Sequence, residues 1–209
     1  MTMGKFENAL WTHQLPRWAG AAAMLGGLLG VLAALLHSLE PSGCIGLQCE
    51  VRELRRGTVT VSTLVPIAAI LVLIGVAGMA LMARHAGRFR KLAGAGLISA
   101  AAGLALLFLG AVIQAIFFSG DFPWMPLFVL PGVLGMITGG ALIGVFIFRS
   151  GVLPRWLGIV LATSSVALLA ANEQTAAVLL VIPFGLAVAA TGFFMWTHGQ
   201  PYAEATSSG

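Results

Sequence analysis

Few residues of this chain could carry chemistry. Among 209 residues there are 2 cysteines, 4 histidines and 7 acids. Cys44 and Cys49 stand close together in Cys-Ile-Gly-Leu-Gln-Cys. On an oxidising side of a membrane such a pair closes a small loop, so a structural disulfide is expected. Thiol exchange would call for a second pair or a Cys-x-x-Cys, and neither is present. The histidines, His13, His37, His85 and His198, form no His-x-x-x-His and no cluster with cysteine, so no metal site is expected. A bis-histidine haem needs two rings facing each other at one depth, and His37 lies at the opposite end of the apolar runs from the other three. There is no Gly-x-Ser-x-Gly, no Walker loop and no Ser/His pair inside an apolar run. The expectation is a non-enzymatic protein without a cofactor.

The elements that must position these residues follow from composition. The chain is 59% hydrophobic and only 9% charged, with a mean hydropathy of +0.99. A soluble domain carries about 25% charged residues, so lipid is the expected solvent. A spanning helix needs about 20 mostly apolar residues. Six runs qualify, at 18–37, 59–83, 92–118, 125–148, 156–171 and 175–197, the fifth being short. They lack the alternation of a transmembrane barrel strand. The fold class is therefore all-α, an integral membrane six-helix bundle of three helical hairpins in a single domain over residues 1–209. Residues 38–57 form an outer loop and 198–209 a disordered tail. The first run is too long for a cleaved leader, and no Ala-x-Ala follows it.

Basic residues set the orientation. With the N-terminus inside, Lys5, Arg17, Arg84, Arg88, Arg90, Lys91, Arg149 and Arg155 all lie inside, leaving Arg52, Arg55 and Arg56 outside. Both termini are thus expected to be cytoplasmic, in the inner (plasma) membrane. The net charge of +4 is read as topology signal and contact with anionic headgroups, not as nucleic-acid binding. On the outer side, Glu50, Arg52, Glu53, Arg55 and Arg56 make a mixed-charge patch that serves as a solvated cap or as a docking face.

Odd-numbered runs begin alike, with Arg17-Trp18-Ala19-Gly20, Lys91-Leu92-Ala93-Gly94 and Arg155-Trp156-Leu157-Gly158. The first and third extend to Leu15-Pro16-Arg17-Trp18 and Leu153-Pro154-Arg155-Trp156. Each proline is expected just before its helix start. Arg17, Trp18, Arg155 and Trp156 are expected to anchor the ends at headgroup level. Even runs carry Pro66, Pro131 and Pro183. The Leu-Pro-Arg-Trp-Leu-Gly junction and six-run layout resemble small bacterial six-span membrane proteins of unassigned function. That resemblance implies the layout and carries over no functional residue.

Glycine numbers 27. In lipid no hydrophobic force draws helices together, and small residues let backbones approach. Gly26 with Gly30, Gly135 with Gly139, and Gly140 with Gly144 are candidate packing pairs. Gly96, Gly103 and Gly110, seven apart, mark one stripe, so helices three and four should pack tightly. Mid-run polar groups are mild: Ser62, Ser99, Gln114, Thr138, Thr163, Ser164, Ser165 and Thr191. Gln114 is the largest, a candidate interhelical contact or ligand contact. The partners expected are the bilayer and, beyond it, other membrane subunits or a second copy. The leading expectation is an accessory or scaffold subunit. Its rival is a small carrier or channel for a neutral or lipid-like solute, with bending points at the prolines and glycines; a bound lipid or a continuous polar path past Gln114, Ser99 and Thr138 would favour it.

Overall fold

The computed structural model describes residues 3–43, 58–86, 89–118, 123–172 and 174–198. Among the described residues the regular elements are all helical. They are α1 (Met3–Ser38), α2 (Val59–Ala86), α3 (Arg90–Ile113), α4 (Met125–Ser150), α5 (Arg155–Ala167) and α6 (Val181–His198). A π-helical turn, Gln114–Phe118, prolongs α3, and 3-10 turns at Leu168–Ala170 and Ala176–Leu180 flank the α5–α6 connection. Five stretches are long and apolar enough to cross a membrane: Gln14–Ser38, Val59–Ala83, Arg90–Phe118, Met125–Ser150 and Ala176–Thr197. The apolar stretch Arg155–Ala170 is shorter.

Consecutive helices are neighbours, and α6 returns to α1, so the six close into a ring. The pairs run antiparallel. Gly20 of α1 lies against Gly192 of α6, and Gly27 against Gly185. On the other side of α1, Gly26 lies against Ala68 and Gly75 against Ala23. α6 packs more extensively on α1 than on α5, its neighbour in sequence. One end of the ring gathers Arg17, Arg90, Lys91, Arg149 and Arg155 and is called the basic end. The other carries His37.

The interior combines small residues with a cluster of large ones, Ile143, Phe146, Ile147, Leu157 and Met195, all at most 1% exposed. Ala19, Ala23, Ala83, Ala93 and Ala187 are all at most 4% exposed. Larger side chains such as Leu25, Leu28, Ile67, Ile70, Leu127 and Leu130 point outward. Water would penalise such a surface, and lipid does not. Close approach of thin helices thus adds to the buried cluster of large side chains.

The two Leu-Pro-Arg-Trp copies differ. Pro154 is the residue before α5, with φ −52° and ψ 128°. Pro16 instead lies inside α1, which starts at Met3, so the expectation that it precedes the helix is corrected. The reason is local. Gly151, at φ +66°, ends α4 in a left-handed cap, and the chain must turn before Pro154. No such break precedes Pro16, so the helix runs through it, and the Thr12 carbonyl loses its usual donor.

Candidate functional site

A cavity of about 480 Å³ lies at the His37 end, between α1, α2 and α6. Small-molecule pockets occupy about 300–1,000 Å³. It begins where the glycine contacts of α1 end. Gly26 and Gly27 hold α1 against α2 and α6, with a Cβ on Gly26 placed 2.9 Å from the Ala68 carbonyl oxygen. One turn on, a Cβ on Gly30 would meet nothing within 4 Å. Ala33 and Ala34 continue this wall, and their small side chains leave the volume unfilled.

The cavity has two unlike ends. Its floor is apolar, made by Val72, Met136, Phe184 and Val188. The same four side chains border a separate void of about 30 Å³ on the ring axis, which residues of all six helices line. Below that void the basic end is closed by Ala83, Ala93, Phe146, Ile147 and Leu157, all essentially inaccessible. The mouth is polar, with His37 at the end of α1 and Ser62 in the first turn of α2. Pro66, a turn beyond Ser62, has no N–H and cannot donate to the Ser62 carbonyl. The Ser62 hydroxyl makes no hydrogen bond among the described residues. By contrast, Thr63, Ser165 and Thr191 donate to carbonyls of their own helices at 2.8, 2.7 and 2.7 Å.

A polar tie holds the mouth. His37 Nδ1 lies 2.7 Å from Glu40 Oε2. Glu40 Oε1 accepts the Thr58 amide at 3.0 Å, which puts a carboxylate at the N-terminus of α2, where the helix dipole favours it. The Thr58 amide, with help from the Thr58 hydroxyl and the nearby His37, holds the Glu40 carboxyl below its ordinary range. The Thr58 hydroxyl also accepts from the Val61 amide at 3.4 Å. Across the mouth the Gly43 amide donates to the Gln174 carbonyl at 3.0 Å, tying the end of α1 to the α5–α6 turn. Chemically this is a one-ended container, apolar below and hydrogen-bonding above.

Comparison with protein-family models, with curated proteins and with solved structures finds no match to this chain. Its own geometry therefore carries the functional argument.

The residues singled out in the sequence fall in several places. Cys44, Cys49 and the patch from Glu50 to Arg56 lie outside the described residues. The stripe of Gly96, Gly103 and Gly110 faces α4. A Cβ on Gly103 would come 2.5 Å from the Gly132 carbonyl oxygen, and one on Gly110 2.8 Å from Phe128 Cβ. Gly135 and Gly139 face α3 in return, while Gly140 and Gly144 face Ser165 and Ala162 of α5. Gly26 packs on α2, and Gly30 lines the cavity. Ser99 donates to the Gly135 carbonyl at 3.0 Å across the α3–α4 seam. Gln114 is half-buried where the π-helical turn begins, and Thr138 faces outward. Those three do not line the cavity. At the basic end the Arg17 guanidinium stacks 5.0 Å from the Trp196 ring centre. Trp18 meets Trp196 edge-on at 6.1 Å, and Trp156 meets Phe194 at 6.1 Å.

Sequence reasoning missed the α1–α6 seam. Gly20 and Gly27, like Gly185 and Gly192, are seven apart, the same signal that marked α3. It also missed the cavity mouth, because His37, Glu40, Thr58 and Ser62 converge only through the fold.

Proposed function

We propose that this chain is an integral membrane protein that crosses the bilayer six times and binds a neutral or lipid-like solute in the α1–α2–α6 cavity. The observation that carries this is the cavity itself, about 480 Å³ with an apolar floor and a polar mouth. An accessory or scaffold subunit needs helix faces but no such container, so the solute-binding role takes precedence. In this reading α5 with its 3-10 extension is the sixth crossing. Its 16 residues, Arg155–Ala170, span about 24 Å at 1.5 Å each, short of a core of roughly 30 Å. Thinning of the bilayer around α5 compensates. The basic end faces the cytoplasm by the positive-inside rule, so the cavity opens toward the outer side of the plasma membrane. In this reading the chain performs no covalent chemistry.

The test is native mass spectrometry of the full chain released from a mild detergent, alongside Gly30→Phe. The expected result is a small molecule retained by the natural sequence and lost from the variant, with both chains folded. A chain that retains a protein partner and no small molecule overturns the proposal in favour of the subunit role.

A further inference from the structure

We infer that the solute carries an uncharged head with a hydroxyl group, seated at Ser62, on an apolar body that reaches down to Met136 and Phe184. This rests on the solute-binding role proposed above and adds the chemistry of the head.

Three observations lead there. The polar lining is confined to one end, so a ligand needs one polar head and one apolar body. Ser62 presents a hydroxyl that donates to no group among the described residues, and a carbonyl to which Pro66 cannot donate. One residue thus offers a donor and an acceptor side by side, and a ligand hydroxyl, which is both, answers each. The third observation is charge. His37 is the ionisable group in the lining among the described residues, and a carboxylate, Glu40, stands 2.7 Å from it. Any positive charge on His37, like the N-terminus of α2, already faces the Glu40 carboxylate. Among the described residues an anionic head therefore meets no positive charge that Glu40 does not already answer, and a buried charge without an opposite partner is costly.

The experiment titrates the full chain in nanodiscs with monodecanoylglycerol, methyl decanoate and decanoate at neutral pH, scored by native mass spectrometry. Monodecanoylglycerol is expected to bind about tenfold tighter than methyl decanoate, the size of one added hydrogen bond. Decanoate is expected to bind more weakly than monodecanoylglycerol. The double variant Ser62→Ala with Pro66→Ala removes the hydroxyl and supplies the missing helical donor. It should abolish the tenfold preference while both neutral lipids still bind. Equal binding of all three probes, each lost in Gly30→Phe, overturns the hydroxyl head and leaves the solute-binding role standing. Tightest binding of decanoate also overturns it. Binding of none, or binding that Gly30→Phe does not alter, overturns the solute-binding role as well.

Discussion

Gly103 on α3 and Gly30 on α1 look alike in the sequence. Each sits inside a long apolar helix with another glycine at helical spacing. In the fold they part company. A Cβ on Gly103 would strike the backbone of α4 at Gly132, Gly135 and Met136, the nearest atom 2.5 Å away, whereas one on Gly30 would enter open space. The difference lies in the opposing helix. α4 presents Gly132, Gly135 and Gly139 to α3, so both backbones approach. Opposite Gly30, α2 presents Ser62, Val65 and Pro66, and α6 presents Val181 and Phe184. Glycine facing glycine makes a seam. Glycine facing branched or bulky residues, with neighbours held apart, makes a cavity.

Substitution at the two sites should separate them most sharply. Gly103→Ala is expected to destabilise the chain by about 1–3 kcal/mol, because the neighbouring atoms are backbone and cannot step aside. Gly103→Leu should prevent the α3–α4 seam from closing, leaving no monodisperse folded protein in detergent. Thermal unfolding and size-exclusion profiles check both. A melting temperature unchanged by Gly103→Ala would mean the seam is looser than the structure has it.

The opposite sign is expected at Gly30. Gly30→Ala adds a methyl group into free volume and removes a helix-interior glycine, so stability should rise by up to about 1 kcal/mol. Loss of stability at Gly30 comparable to that at Gly103 would erase the distinction between seam and cavity.

The seam was legible from the sequence and the cavity was not, for a physical reason. Gly96, Gly103 and Gly110 repeat every seven residues, and a repeat on one helix is visible without its partner. The helical class and the apolar stretches were legible in the same way, from runs read one at a time. Whether a glycine is covered depends on what the facing helix presents, and Gly26 and Gly30 show this within a single turn, one packed on Ala68 and the other open. The polar mouth was hidden for a related reason. Ser62 and His37 are 25 positions apart, and Ser62 gains its interest only from Pro66 in the next turn and from the cavity beside it. The interior start of α1 was misread because an identical tetrapeptide has two uses, one after the Gly151 turn and one within a continuing helix.

A smaller effect is expected where the seam is held by a single polar bond. Ser99→Ala deletes the 3.0 Å bond from α3 to the Gly135 carbonyl. Interhelical hydrogen bonds in membranes average about 0.6 kcal/mol, so a drop of that order in unfolding free energy is expected. A cost several times larger would make Ser99, not the glycines, the principal tie between α3 and α4.

The smallest effect should come from the tie at the cavity mouth, and its sign follows from the Glu40 carboxyl. The Thr58 amide chiefly, with the Thr58 hydroxyl and His37, holds that carboxyl below its ordinary range in the folded chain. The folded state therefore favours the ionised form more than the unfolded state does. The resulting stabilisation is complete above the ordinary carboxylate range and is lost as the pH falls through the lowered value. Because solvent screens this site, the change should be slight. Melting temperature measured against pH should thus decline a little more steeply on the acid side for the natural sequence than for Glu40→Gln, which accepts from Thr58 without titrating. Curves that stay parallel throughout would mean the carboxylate charge does not hold α1 to α2, leaving the Gly43–Gln174 bond as the tie across the mouth.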